Sequence, residues 1–373
     1  MAARRVLIAA GGTGGHFYPG LVLAQTLKAR GWEPLMLVRR EDPALATLER
    51  ESIAACEVPL RGMPRGMGLP LLGFSRDLVK SLRLVSRVVR DFRPAVVVGM
   101  GGYLTFPAVA AAARRGVPRA LHESNAVLGL ANKAAAAVGA DLFWGLPPVG
   151  RPGIVVGTPI RRALWLAGPQ GAARKELGLA PDRMTVLIFG GSQGARGLNR
   201  GAPKVLAALA AKAPGQLQVL HLAGKTEGPQ VEALYAGAPL QAKVLPFLDR
   251  MELAYAAADL VLCRSGASTL AELAAQRAAA ILVPFPAAAA NHQELNARVL
   301  ERAGAARVML ERDLEGSLAG LVEELLLSPS AAGKRAALAG GYAALGLPAP
   351  QKAAETLADA VEALSEKTSN SRL

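Results

Sequence analysis

Two glycine-rich stretches stand out among the residues able to do chemistry. Gly11-Gly12-Thr13-Gly14-Gly15-His16 follows the apolar run Val6–Ala10, and Gly190-Gly191-Ser192-Gln193-Gly194-Ala195 follows Val186–Phe189. In each, a strand-type run meets a glycine loop carrying a hydroxyl residue, and a helix-like segment follows. Glycines there let the backbone turn sharply and present bare N–H groups at a helix N-terminus to an anion. Two such loops half a chain apart predict two similar α/β domains facing one phosphate-bearing ligand across a cleft.

The chain has only four histidines. His16 closes the first glycine loop, where a side chain titrating near neutrality could act as general base. It could equally hydrogen-bond a diphosphate or cap the helix. His122 and His292 also stand beside loop clusters, whereas His221 follows the strand-like Gln218–Leu220 and reads as structural. No two histidines have a metal-ligand spacing and no paired-aspartate motif is visible, so no metal or other cofactor is expected. The charge of a diphosphate would instead meet backbone N–H groups, helix N-termini and Arg.

Four more polar clusters follow strand-like runs or breaks: Leu121–Asn125, Gly157–Arg161, Arg264–Glu272 and Asn291–Asn296. In open α/β sheets, ligands lie beyond the carboxyl ends of the strands. Any one of these residues could be a cap or turn residue; together they point to a binding site.

The elements that must hold these groups alternate. Apolar runs at Val6–Ala10, Pro34–Val38, Ala95–Gly99, Arg119–His122, Val186–Phe189, Gln218–Leu222, Leu260–Cys263 and Ala280–Pro284 are spaced by helical stretches, the pattern of parallel sheets with right-handed crossovers. The 373 residues predict two domains. The Pro/Gly-rich stretch Leu146–Gly153 precedes a connection near Gly157–Arg162. The expected division is 1–161, 162–345, and a terminal segment 346–373 whose helix Gln351–Glu366 ends in a polar tail. The uncharged run Pro94–Ala113 is long enough for a membrane span, but Gly99, Gly101, Gly102 and Pro107 make it read as strand, loop and helix. Two cysteines exclude a disulfide framework, and Cys263 reads as a small buried hydrophobe. The N-terminus enters a strand pattern almost at once, so a cytoplasmic setting without a signal peptide is expected.

Charge is uneven. Of the formal +14, residues 1–161 carry a surplus of 11, which points to a polyanionic surface touching that half. In Arg76–Phe92, basic residues at 76, 80, 83, 87 and 90 share one helical face, opposite Leu78, Leu82, Val85, Val89 and Phe92. An ordinary solvated helix face explains this equally well. The preceding apolar segment, read as a loop with Leu69, Leu71, Leu72 and Phe74 at its tip, turns the pair into a candidate interfacial patch, with Arg76, Lys80, Arg83 and Arg87 toward anionic headgroups. Aromatics interleaved for base stacking are missing, so nucleic acid is not expected as a partner.

Taken in order, Gly11–Pro19, Gly101-Gly102-Tyr103, His122–Asn125, Gly190–Ala195 and Arg264–Glu272 resemble the MurG family of bacterial transferases, glycosyltransferase family 28, over residues 4 to 345. The resemblance implies a GT-B fold, two Rossmann-like domains with parallel sheets. It also implies an inverting transfer of N-acetylglucosamine from UDP-GlcNAc to undecaprenyl-diphospho-N-acetylmuramoyl-pentapeptide (lipid I), giving lipid II. By the same resemblance, Thr13, Gly14, Gly15, Asn125 and Arg161 line the donor site. Glu272 takes the ribose hydroxyls. Ser192 and the N–H groups of Ala267, Ser268, Thr269 and Leu270 face the diphosphate, with Ala271 beside them. Leu248 holds uracil through its backbone, and Gln293 and Asn296 contact the sugar. Tyr103, His122 and Glu123 are expected on the acceptor side, and His16 as the general base.

The last helix should return to the N-terminal domain. Partners then include the donor, lipid I, an anionic membrane surface bound peripherally on the cytoplasmic side, and other cell-wall synthesis or division proteins. Ser124, Thr158 and Asn291 depart from the family's usual Gln, Asn and Asp. A related UDP-sugar enzyme with another acceptor, or an epimerase, is the alternative. A nicotinamide enzyme is not, because Phe17 stands where the fingerprint needs its third glycine and Arg39-Arg40 replaces the expected acid.

Overall fold

The structure, a computed structural model, describes residues 4–11, 14–60, 62, 69–166, 168–191 and 194–370. The chain forms two compact units, Met1–Arg161 with Leu347–Leu373, and Arg162–Gly346.

The first unit is built on a parallel sheet of β1 (Arg5–Ala9), β2 (Glu33–Arg39), β3 (Ala54–Val58), β4 (Val96–Gly99), β5 (Arg119–Glu123), β6 (Asp141–Trp144) and β7 (Ile154–Val155), in the order β3-β2-β1-β4-β5-β6-β7. The second holds β8 (Met184–Phe189), β9 (Leu217–Leu222), β10 (Gln241–Leu245), β11 (Leu260–Cys263), β12 (Ala280–Leu282) and β13 (Arg307–Val308), in the order β10-β9-β8-β11-β12-β13. Both share the doubly wound 3-2-1-4-5-6 order, which reverses direction beside the first strand of each unit and leaves a crevice at that strand's carboxyl end.

The central strands are apolar on both faces because helices cover both. In β1, Val6 and Ile8 pack on one side with Leu23 and Leu27, while Leu7 and Ala9 pack on the other with Val85, Val89 and Ala108. The terminal helix Pro350–Asn370 belongs to this first core, where Leu357, Ala358 and Val361 are fully buried. Its Glu362 accepts a hydrogen bond from Trp32 Nε1 at 2.9 Å and, with Asp359, pairs with Arg30. Fully burying a Leu or Val side chain stabilises by about 1.5–3 kcal/mol, so the apolar stripe rather than the exposed ion pairs docks this helix.

One sequence expectation is corrected. The segment read as an apolar loop up to Phe74 is, from Leu69, the beginning of the helix Leu69–Phe92. Phe74 lies on its inner stripe with Leu78 and Val88, half-buried against the core and edge-on to Tyr103 at 6.0 Å. It therefore cannot be an exposed tip. The side chains of Leu69 and Leu71 lie outside the described residues. Leu72, Arg76, Val79, Lys80, Arg83 and Arg87 form the outer, exposed stripe. Among the described residues no helix is long and apolar enough to cross a membrane; Pro94–Ala113 folds as β4, a turn and the helix Thr105–Ala113.

Candidate functional site

In the first unit, β1 delivers the chain to the helix Gly14–Ala29, whose first turn carries no acidic residue. Gly14 and Gly15 sit at its N-terminus, where unbonded N–H groups and the helix dipole favour an anion. Thr13 lies outside the described residues. His16 is half-buried on that first turn, and its ring packs on the turn after β4. A Cβ on Gly101 would stand 2.6 Å from His16 Cδ2, and one on Gly102 3.3 Å from its Nδ1. Both glycines also have positive φ, 101° and 75°, so both space and backbone exclude a side chain there. The Thr105 hydroxyl, accepting from Gly101 N at 3.0 Å, fixes the turn. Tyr103 is 40% exposed beside it. Arg161 lies over the Tyr18 ring at 4.9 Å from the centroid, a cation–π contact that ties the end of the first unit to the His16 helix.

His122 and Glu123, expected on the acceptor side, are buried side chains that hold backbone. His122 is fully buried on β5, and burial first of all holds its imidazole below the usual range, so it is neutral. Nε2–H donates to the Gly157 carbonyl at 2.9 Å, and the Ser124 hydroxyl lies 3.4 Å from Nδ1. Glu123, 3% exposed, accepts from Asn125 N and Nδ2, Gly129 N and Asn132 Nδ2 at 2.8–3.0 Å. These bonds replace the water its carboxylate loses and shape the loop that presents half-buried Asn125.

In the second unit, Ser192 lies outside the described residues, and the helix Arg196–Lys212 follows in sequence. The second helix start is better defined. Gly266, extended at φ −66° and ψ 143°, caps Ala267–Gln276. Leu270 N donates to Gly266 O at 3.0 Å and the Leu270 side chain is buried. Ala271, a residue deeper, is past the unbonded turn as well. Ala267, Ser268 and Thr269 stand on the first turn of this helix, and Leu270 and Ala271 directly follow them. Glu272, one turn on, accepts from the Tyr255 hydroxyl at 2.8 Å. Burial pushes that phenol up, so it remains a donor.

Beneath this helix start, Arg264 is 6% exposed. It donates to the Val283 and Pro284 carbonyls at 3.1 and 3.2 Å and pairs with Glu311. Asn296 is fully buried and donates to Ser265 O at 3.2 Å, which fixes the backbone ahead of this helix start. Ser265 Oγ donates to Gln293 O at 2.8 Å, and the Gln293 side chain accepts from Phe285 N at 3.0 Å. Gln293 and Leu248 are half-buried. Tyr18, Tyr255 and Glu311 are site-supporting residues that sequence reasoning missed. Glu311 stands 47 positions from Arg264, in no recognisable motif. Among the described residues no group of His, Cys, Asp or Glu is arranged to hold a metal.

Residues 6–141 match the model of the glycosyltransferase family 28 N-terminal domain, and residues 185–346 that of the family 28 C-terminal domain. The chain is 38% identical over 369 residues to the UDP-N-acetylglucosamine–N-acetylmuramyl-(pentapeptide) pyrophosphoryl-undecaprenol N-acetylglucosamine transferase of Elusimicrobium minutum, spanning 97% of this chain and all of the relative. It is 42% identical to the Halorhodospira halophila protein of that name, over 87% of this chain and 90% of the relative. Among solved structures, Acinetobacter baumannii MurG matches with a TM-score of 0.75 at 28% identity, covering 96% of this chain and 99% of that one.

Proposed function

The chain belongs to glycosyltransferase family 28, and from that premise we infer that it moves N-acetylglucosamine from UDP-GlcNAc to the C4 hydroxyl of undecaprenyl-diphospho-N-acetylmuramoyl-pentapeptide, forming lipid II. The observation that carries this reading is the His16 imidazole, held on the first turn of an anion-ready helix by the Gly101–Gly102 turn.

The reaction is a single inverting displacement. The acceptor hydroxyl attacks the anomeric carbon, UDP departs from the opposite face, and the new bond is β-1,4. An alcohol is a weak nucleophile, so His16 takes its proton as the C–O bond forms. The charge that develops on UDP is met by the N–H groups of Ala267, Ser268 and Thr269 at their helix start. Glu272, with Tyr255 on one carboxylate oxygen, accepts from the ribose hydroxyls. His122 and Glu123 act through the backbone they hold.

A polyprenyl-anchored acceptor stays in the bilayer, so the enzyme comes to it. The outer stripe of Leu69–Phe92, with Leu72 68% and Val79 45% exposed among Arg76, Lys80, Arg83 and Arg87, suits peripheral attachment to anionic lipid at the cytoplasmic face. The deciding experiment is transfer of labelled N-acetylglucosamine from UDP to a soluble lipid I analogue, with mass detection. A disaccharide product carrying a β-1,4 bond is expected. UDP-GlcNAc turnover to an epimer, with no transfer, would replace this reading by the epimerase one.

A further inference from the structure

Beside the first glycine loop lies a pocket of about 550 Å³ that the reaction above does not use. Its floor is apolar, Val58 and Leu60 at the end of β3. Its walls carry four cations, Arg39 and Arg40 from the end of β2 and Arg76 and Lys80 from the middle of the helix Leu69–Phe92. Two carboxylates also line it. Asp77 sits 3.8 Å from Arg76, and Glu41 has its N–H turned to Glu57 Oε2 at 2.8 Å. Among the described residues, Arg39, Arg40 and Lys80 have no carboxylate within ion-pair distance. The pocket stands at the carboxyl ends of β2 and β3, next to the end of β1, where Ala10 N donates to Leu37 O at 3.2 Å.

We propose that this pocket takes the free carboxylates of the acceptor's pentapeptide. The inference rests on the acceptor assigned above. A pentapeptide bears at least its C-terminal carboxylate, and the pocket opens at the same carboxyl ends of the sheet that carry the His16 helix start. Guanidinium groups suit carboxylates through paired N–H donors, and the apolar floor suits small aliphatic side chains. The volume falls in the range that encloses a ligand larger than a single anion. A phosphate headgroup fits less well: no helix N-terminus or glycine N–H cluster lines the pocket, as phosphate sites commonly have, and Arg83 and Arg87 of the outer stripe lie outside it.

The test compares two soluble acceptors, one with free peptide carboxylates and one with those groups converted to amides. For the unmodified enzyme, KM should be about tenfold lower for the free-acid acceptor, the scale of one charged hydrogen-bonded contact. In R39A/R40A, and separately in R40E/K80E, which draws on two different elements, that ratio should fall to about one. UDP affinity and melting temperature report whether each variant is folded. Equal KM values for both acceptors with the unmodified enzyme would overturn the pocket while leaving the transfer reaction intact. Transfer to neither acceptor would overturn the reaction and the pocket with it. A KM ratio that persists in both variants, with weaker binding to anionic vesicles, would reassign the pocket to a lipid headgroup.

Discussion

The two sheets share a strand order, yet the helix starts at their carboxyl ends are held differently. In the first unit the helix Gly14–Ala29 carries His16 against two glycines of positive φ, and its side chain remains half-buried. In the second, the helix Ala267–Gln276 stands over Arg264, a buried cation with two carbonyls and Glu311 as partners. Desolvating a guanidinium is costly unless every direction is met, and three acceptors meet much of it here. One start leaves a titratable group room to exchange a proton; the other is braced for grip. A shared scaffold supplies the N–H groups, and the flanking loops decide which task each performs.

The sharpest way to break this comparison is at His16. His16→Ala should cut turnover on the order of 100-fold or more while UDP affinity is nearly kept. Near-normal turnover on a soluble acceptor analogue would remove His16 from the proton transfer and reduce it to a packing partner of Gly101.

The counterpart in the second unit is Glu272. Glu272→Gln keeps the shape and the Tyr255 contact but loses the charge that strengthens acceptance from ribose hydroxyls. UDP binding should weaken by roughly 1–3 kcal/mol, with His16-dependent steps untouched. Titration calorimetry showing unchanged affinity would move the ribose contact elsewhere.

How much of this was legible in the sequence follows from burial. The eight apolar runs all became strands because central strands of a parallel sheet are covered on both faces. β3 and β10 were not anticipated: they are edge strands, half-covered, and their sequences Ala54–Val58 and Gln241–Leu245 are broken by Glu57 and by Gln241 and Lys243. β7 and β13, two residues each, are too short for a pattern to declare itself, and β6 opens on the exposed Asp141. At the site, His16 and the Gly101–Gly102 turn were legible because a glycine pair and a histidine are rare and local. The partners of His122, Glu123 and Asn296 were not legible, for the opposite reason. A polar residue after a strand looks the same whether it faces a ligand or a buried backbone, and only distant partners such as the Gly157 carbonyl decide which.

Each unit also buries one neutral histidine, and acid should find both. Burial holds His122 below its ordinary value and His221 at about 3, against the usual 6.5. Below about pH 6.5 the unfolded chain therefore binds protons that the folded chain refuses. Stability from these groups is full above that value and falls as pH drops, by about 1.4 kcal/mol per pH unit for His221 down to about pH 3, with His122 acting in the same direction. Unfolding in urea at pH 7, 6 and 5 would measure it. His221 has Tyr235 and Asn199 as its ring partners, both at 3.1 Å. In His221→Gln the slope should be reduced; an unchanged slope would mean that other groups set the acid sensitivity.

The smallest effect is expected furthest from both helix starts, on the outer stripe of Leu69–Phe92. Arg87 is exposed there, with only the solvated Asp91 one turn on to feel its charge. Its contribution to membrane attachment would come from attraction to an anionic surface alone, worth about 1 kcal/mol near the headgroups. Arg87→Ala should therefore weaken binding to anionic vesicles about fivefold at low salt. The difference should shrink as ionic strength rises, since screening shortens the reach of exposed charges. UDP affinity and unfolding free energy should stay the same, because a solvated arginine removes little when it goes. Leu72→Ser tests the same stripe by a different force: it should weaken vesicle binding at every salt concentration, because burial of an apolar side chain is not screened. If both variants bound neutral and anionic vesicles as the unmodified protein does, the stripe would be an ordinary solvated helix face, and the membrane surface would have to lie elsewhere on the first unit.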